Sequence, residues 1–101
     1  GPAKGGAAGG ASAWEQAYED ARAVMDQKGL APAMKLLEEG LDSAREPRDR
    51  FYWRLMSSQL MKDSGMKSLA KQQVQDLREQ TRGMNLEDWE PGLVARLDRL
   101  A

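Results

Sequence analysis

An all-α domain is the fold class that this sequence predicts, and its composition and apolar spacing lead to that prediction. Only four of the 101 residues are β-branched, three valines and one threonine, so a β-sheet has almost nothing to be built from. The abundant residues are Leu, Ala, Met, Glu, Lys, Gln and Arg, all of which favour helix. Apolar residues recur at helical spacing between glycine and proline breaks. We therefore expect about five helices arranged in antiparallel hairpins.

The first thirteen residues predict a flexible linker rather than part of the fold. Ten of them are Gly or Ala, which is a composition typical of flexible linkers. The opening Gly1-Pro2 is consistent with a scar from tag removal. The helical domain is therefore expected to occupy residues 14–101, and the linker at its edge suggests that it was cut from a longer protein.

The first two helices have clear boundaries in the sequence. Ser12 and Glu15 have the spacing of a capping box, which predicts where the first helix starts. Gly29 is a natural helix stop, and Pro32 suits the first turn of the helix that follows. Pro47 ends the pattern of this second helix because proline disfavours helical backbone in the residue before it.

Three further segments are predicted after Pro47. The third helix is expected over residues 47–64 and the fourth over 67–82, each followed by a glycine. Pro91 would remove a backbone hydrogen bond from any helix that contained it. We therefore expect a short turn over residues 86–89 and a final helix that begins at Pro91.

A faint internal repeat favours stacked hairpins over an up-and-down bundle. Gly29 and Gly65 lie 36 residues apart, and each stands between two predicted helices. The stretch from Gly65 to Ala70 also has the spacing of a tetratricopeptide turn. Two copies of a repeat favour the hairpin arrangement but leave the bundle open as an alternative.

Catalysis and membrane insertion are not expected. The sequence has no cysteine and no histidine, which removes thiolate nucleophiles, the commonest general base and the commonest metal ligands. Its adjacent carboxylates do not face one another on a helix, so we interpret them as solvated surface. The sequence contains no run of about 18 apolar residues, which is the length needed to span a bilayer. The N-terminus lacks the charged-then-apolar order of a secretory signal. We predict no enzyme activity, no cofactor, no metal and no small-molecule substrate. The adjacent carboxylates are Glu19/Asp20, Glu38/Glu39 and Glu87/Asp88.

Charge is distributed unevenly along a chain whose net charge is −1. Residues 45–71 carry seven basic and three acidic side chains, whereas residues 14–44 carry three basic and seven acidic ones. The basic segment could form ion pairs within its own chain, pair with the acidic segment of another copy, or bind nucleic acid. Nucleic acid is the least favoured, because the small net charge offers no strong attraction. The adjacent Phe51, Tyr52 and Trp53 point about 100° apart on a helix and cannot form one stacking platform.

Tryptophan and methionine are abundant for so small a domain, with three Trp and six Met. Trp, Met and Arg are enriched at protein interfaces, and oligomerisation is one way to stabilise a small domain without metals or disulfides. On the third helix, we expect Phe51 and Leu55 to face their own core. We expect the second stripe, formed by Trp53, Met56 and Leu60, to lie nearer a neighbouring copy.

Three segments resemble the C-terminal domain of the TssA family. Arg50-Phe51-Tyr52-Trp53-Arg54-Leu55 is similar to that domain's Arg-x-Phe-x-Trp-Arg-Leu opening, and Gly65-Met66-Lys67-Ser68-Leu69-Ala70 is similar to its central glycine region. Leu86-Glu87-Asp88-Trp89-Glu90-Pro91 resembles its Leu-x-x-Trp-Glu-Pro signature. The resemblance covers about residues 48–95.

The resemblance implies a structural component of the bacterial type VI secretion system, a contractile machine that drives a tube through a sheath anchored on a baseplate. It implies that many copies assemble into a ring that engages baseplate, tail tube and sheath, or membrane-complex proteins. It also implies a cytoplasmic location at the inner face of the cell envelope. The residues expected to form the interface or the structural motif are Phe51, Trp53, Arg54, Met56, Leu60, Trp89, Glu90 and Pro91.

Two other functions remain open from the sequence. A tetratricopeptide-like adaptor would bind a partner peptide helix in a groove, would be a monomer, and would expose Trp53 in that groove. A nucleic-acid binder would use the arginines between Arg45 and Arg54, and its affinity would fall steeply with salt.

Overall fold

A computed structural model describes residues 12–101, and these fold into five α-helices and one short 3₁₀ helix without a strand. This confirms the predicted all-α class. Of the predicted linker, residues 1–11 lie outside the described residues, while Ser12 and Ala13 form the start of the first helix. The helices are α1 (Ala13–Lys28), α2 (Leu30–Ser43), α3 (Pro47–Asp63), α4 (Lys67–Gln80), the 3₁₀ helix (Leu86–Asp88) and α5 (Leu93–Leu100).

The first hairpin joins α1 to α2 through a single residue. The Glu15 carboxylate accepts a hydrogen bond from the backbone N–H of Ser12 at 3.4 Å, which is the contact expected of a capping box. Gly29 has a φ of 96°, a backbone conformation that glycine adopts without steric cost. The tight turn allows α2 to begin at Leu30, so Pro32 lies in its first turn as predicted.

The helices stack as hairpins around α3. Helix α1 packs along α2, and α3 packs along α4. Helix α3 also contacts α1, α2 and α5, whereas α4 contacts only α3 and α5 among the described helices. The α1–α2 hairpin therefore covers one side of α3 while α4 covers another. This arrangement agrees with the predicted hairpins.

The core is centred on α3, and its composition corrects one expectation. Phe51 and Leu55 are buried, as predicted. Met56 and Leu60 are only 2% and 0% exposed, so they belong to the core of their own chain and do not reach a neighbour. The reason is that α3 is covered from several sides, by α1, α2, α4 and α5.

The last helix begins two residues later than predicted. Helix α5 starts at Leu93 rather than at Pro91, because Gly92 takes a left-handed conformation with a φ of 84°. The predicted short turn before it is present as the 3₁₀ helix. Across residues 12–101, no helix is both long enough and apolar enough to cross a membrane.

Candidate functional site

Residues 86–91, which we call the Trp-Glu-Pro corner, pack against the N-terminal half of α3. The rings of Trp89 and Phe51 meet edge to face with their centroids 5.3 Å apart. The Arg48 guanidinium donates a hydrogen bond to the Trp89 carbonyl at 3.4 Å and lies 5.5 Å from the centroid of the Tyr52 ring. Side chains of α3 thus hold the corner by one aromatic contact and one polar contact.

Glu90 links the corner to both α3 and α5. Its carboxylate accepts a hydrogen bond from the Tyr52 hydroxyl at 2.9 Å and pairs with Arg96 at 3.3 Å. Burial raises the pKa of Tyr52 to about 12, and the hydrogen bond to Glu90 acts in the same direction. The neutral hydroxyl therefore persists as the donor that holds Glu90 in place.

Glu87 fastens the start of α5. Its carboxylate accepts hydrogen bonds from the backbone N–H groups of Gly92 at 2.9 Å and Val94 at 3.2 Å. These two bonds lower the pKa of Glu87, because they favour its charged form. A carboxylate at a helix N-terminus satisfies N–H groups that have no partner within the helix. The corner therefore holds α5 against the rest of the domain through these hydrogen bonds.

A row of aromatic rings continues from the corner to α1. Tyr52 meets Phe51 edge to face with centroids 5.5 Å apart, and Trp14 stacks on Tyr52 at 4.8 Å with 9° between the ring planes. The row connects α1, α3 and the corner through four rings in sequence. Trp14 and Trp89 are half-buried, so both ends of the row reach the surface.

Trp53 lies on a different side of α3, against Gly40 of α2. A Cβ atom built on Gly40 would stand 2.3 Å from two atoms of the Trp53 ring, so only glycine allows this approach. Trp53 remains half-buried. Sequence reasoning did not single out Gly40, although a glycine inside a helical pattern is a signal of close packing.

A groove opens between the N-terminal half of α3 and the C-terminal half of α4. We call it the arginine groove, because Arg50 and Arg54 line it and no carboxylate of the described residues does. Its volume is about 280 Å³. Met84, which is 48% exposed, lies at its apolar side together with Trp89. The lining residues are Pro47, Arg50, Phe51, Arg54, Leu77, Gln80, Thr81, Met84 and Trp89.

The arginines of the basic segment form no ion pair with the carboxylates that the structure describes. Arg50 donates to the carbonyls of Leu41 and Ala44, at 3.0 and 3.1 Å, and so satisfies the C-terminal end of α2. Within residues 12–101, Arg45, Arg48 and Arg54 form no ion pair either. The interpretation that these arginines are paired within the chain is therefore wrong for the described residues.

A second polar cluster ties α1 to the end of α3. The Tyr18 hydroxyl donates a hydrogen bond to Asp63, whose carboxylate also lies 3.7 Å from the Arg22 guanidinium. Burial raises the pKa of Tyr18 to about 12, with the bond to Asp63 adding to the effect. No sequence signal predicts this cluster, because Tyr18 and Asp63 are 45 residues apart.

The structure divides the sequence-predicted site residues into three groups. Trp89, Glu90 and Pro91 belong to the corner, where Pro91 is exposed, and Phe51 packs against Trp89 from α3. Trp53 and Arg54 are half-buried outside the core, and Met56 and Leu60 lie inside it. Four large apolar side chains are exposed by two-fifths or more and were not predicted as site residues: Met66, Leu69, Met84 and Val94.

Comparisons with known proteins agree with the resemblance seen in the sequence. The chain is similar to a solved structure titled "C-terminal domain of TssA protein from T6SS of Vibrio cholerae", with 36% sequence identity and a TM-score of 0.77. The match covers 87% of this chain and 97% of that chain. The comparison with curated proteins finds no match. A family model described as "T6SS_VasJ: Type VI secretion, EvfE, EvfF, ImpA, BimE, VC_A0119, VasJ" matches residues 2–101, and the chain therefore belongs to this type VI secretion family.

Proposed function

We propose that this domain assembles many copies of its chain into a closed ring and acts as a scaffold of the type VI secretion system. The family and the likeness to a TssA C-terminal domain support a structural component of that system. The ring proposal rests on the charged and apolar groups that lie at the surface of the domain. The arginine groove, whose Arg54 forms no ion pair within residues 12–101, and the exposed side chains of Met66, Leu69 and Met84 remain at the surface after the chain has folded.

The exposed apolar side chains are concentrated away from the α1–α2 hairpin. Met66 and Leu69 lie at the start of α4 and are 40% and 51% exposed, and Met84 lies beyond its end. Burying such side chains between copies would add apolar contact that a small domain cannot supply from its own core. A ring would then collect many attached regions and raise their joint affinity for a partner without new contacts.

The partners of the ring are proposed from the family alone. They are the baseplate, the tail tube and sheath, and membrane-complex proteins, met in the cytoplasm at the inner face of the cell envelope. A linker of the Gly- and Ala-rich composition found before the domain would let attached regions reach partners that do not match the symmetry of the ring.

Native mass measurement tests the assembly. We expect the unmodified domain to run as a multimer of its 11.2 kDa chain, with a population that grows with concentration. Trp53→Ala is expected to lower the multimer population, because it removes a half-buried indole from the surface of α3. Ala31→Ser, an exposed change on α2, serves as the control. A parent domain that stays at the monomer mass at high concentration would contradict the ring.

A peptide-binding adaptor is the second candidate, and the arginine groove favours it. The groove combines two guanidinium groups with aromatic and methionine side chains, as expected of a site for an acidic amphipathic segment. An adaptor would remain a monomer and would bind such a peptide with micromolar or tighter affinity. The native mass of the unmodified domain therefore separates the two functions.

A further inference from the structure

The arginine groove carries two guanidinium groups that form no ion pair with a carboxylate of residues 12–101. Arg54 makes no ion pair with any carboxylate in residues 12–101. Arg50 is bonded to two backbone carbonyls, which orient its guanidinium but leave its charge in place. The remaining lining is apolar or neutral, with Phe51, Met84 and Trp89 providing aromatic and thioether surface. The groove therefore fits a segment that presents carboxylates beside apolar atoms.

The same chain presents such a segment on α2. Glu38, Glu39 and Asp42, which we call the acidic turn, are all exposed and form no ion pair within residues 12–101. They lie in the C-terminal half of α2, where the helix dipole adds negative potential. Leu36 and Leu41 flank the acidic turn and are half-buried, so apolar surface lies beside the carboxylates.

The groove and the acidic turn are formed by different helices and border one another. The groove is formed by α3 and α4, whereas the acidic turn is on α2. Arg50 joins the two surfaces, because its guanidinium donates to the Leu41 and Ala44 carbonyls at the end of α2. A contact that joins two different surfaces of identical chains is head-to-tail, and such contacts generate a ring when the rotation closes. A self-complementary dimer would instead use one surface twice.

We propose that the arginine groove of one copy binds the acidic turn of the next copy, an inference that rests on the proposed ring. Arg54 and Arg50 face Glu38, Glu39 and Asp42 across this contact, and Met84 packs beside the leucines that flank the acidic turn. The charges set which surfaces meet and in which orientation, since opposite charges select partners and like charges repel them. The apolar atoms supply the buried area that charges alone do not.

Charge reversal with compensation tests the pairing. Arg54→Glu alone and the double change Glu38→Lys/Glu39→Lys alone are each expected to weaken assembly at least tenfold in the dissociation constant seen by native mass. The two changes combined in one chain reverse both sides of the contact, and we expect them to restore most of the multimer. Lys71→Glu, an exposed reversal on α4 outside the groove, is the matched control and should leave the mass unchanged.

The outcomes separate this pairing from the ring itself. A parent that forms multimers while Arg54→Glu and the acidic-turn reversal leave them unchanged overturns the pairing and keeps the ring. A monomeric parent overturns both, and an added acidic peptide that binds such a monomer assigns the groove to a different partner. Far-ultraviolet circular dichroism reports whether each variant is folded. Should Arg54→Glu fail to fold, the neutral Arg54→Gln is used, and an unchanged multimer in that variant overturns the pairing equally.

Discussion

The contact between Gly40 and Trp53 shows how one missing atom sets the packing of α2 on α3. Glycine inside a helix ordinarily costs about 0.5–1 kcal/mol relative to alanine. Here the absence of a Cβ lets the indole approach the α2 backbone, where the added atom would stand 2.3 Å from the ring. The cost of glycine in the helix is offset by the contact of a large ring with the helix backbone.

We expect Gly40→Ala to destabilise the domain, contrary to the usual effect of alanine in a helix. The indole must leave its place, and overpacking of this kind typically costs about 1–3 kcal/mol. Urea unfolding followed by circular dichroism at one fixed protein concentration measures the free energy of unfolding.

A variant that lacks the Trp53 indole provides the control for Gly40→Ala. In Trp53→Ala, the change Gly40→Ala no longer meets an indole, so it should become neutral or stabilising, and the difference between the two backgrounds gives the coupling. Stabilisation by Gly40→Ala in the parent would show that the Trp53 indole moves aside without cost.

The two tyrosines are expected to titrate late in the folded protein. Burial and a carboxylate partner raise the pKa of both Tyr18 and Tyr52 to about 12, from an ordinary value of 10.0. Because the folded state holds these protons more tightly, the stabilisation that the two hydroxyls contribute is fully present below about pH 10 and is lost between about pH 10 and 12. Near-ultraviolet absorbance of tyrosinate measures the midpoint directly, since these are the only two tyrosines in the sequence.

The unfolded chain and one variant complete the tyrosine experiment. In denaturant both residues should titrate near pH 10, and Tyr52→Phe should retain one late-titrating group, that of Tyr18. A native midpoint close to that of the denatured chain would mean that neither hydroxyl is held by its carboxylate.

At the scale of elements, the Trp-Glu-Pro corner decides where α5 lies. Helix α5 has eight residues, which is too short to be stable by itself. Its buried leucines face α3 and α4, and its start is held by Glu87 and, through Arg96, by Glu90. The signature residues therefore convert a short amphipathic segment into a fixed part of the fold.

We expect Glu87→Gln to weaken the docking of α5 on the domain and to remove part of the pH dependence of that docking. The N–H groups of Gly92 and Val94 lower the pKa of Glu87, so its contribution to docking is present above the unfolded pKa and is lost as pH falls through the lower folded pKa. Hydrogen exchange of α5 amides, corrected for intrinsic rates, should show less protection at neutral pH in the variant. Asp88→Asn, a neighbouring carboxylate without bonds to α5, is the control and should leave protection unchanged.

The elements were predictable because their signals are local. The caps at Ser12 and Gly29 and the apolar periodicity give the helices and the hairpins, and the signature gave the corner as a motif. The sequence could not show that Met56 and Leu60 are core, because a helix with two apolar stripes can be covered by its own chain or by another. Likewise Glu87 and Gly40 act through contacts between elements, and Asp88 beside Glu87 has the same charge without the same role.

At the scale of the whole molecule, the domain buries one core but leaves many aromatic, apolar and charged side chains at its surface. Three half-buried tryptophans, the arginine groove and the acidic turn all lie at the surface. The exposed apolar side chains lie at the start of α4, beyond its end and on α5, whereas most of the carboxylates that form no ion pair within residues 12–101 lie on α1 and α2. This asymmetry between two sides of one chain suits head-to-tail assembly better than a two-fold dimer.

The thermal stability of the domain is expected to rise with its concentration, because a neighbouring copy binds the folded chain and not the unfolded one. A tenfold increase in concentration adds about 1.4 kcal/mol for each associated subunit, which corresponds to roughly 6–11 °C in Tm for a domain of this size. Circular dichroism melts over two decades of concentration measure the slope. Arg54→Glu should lower the Tm toward that of the isolated subunit at each concentration, while Lys71→Glu should follow the parent. A flat parent would show that the folded chain gains nothing from its neighbours, and the ring would have to be abandoned.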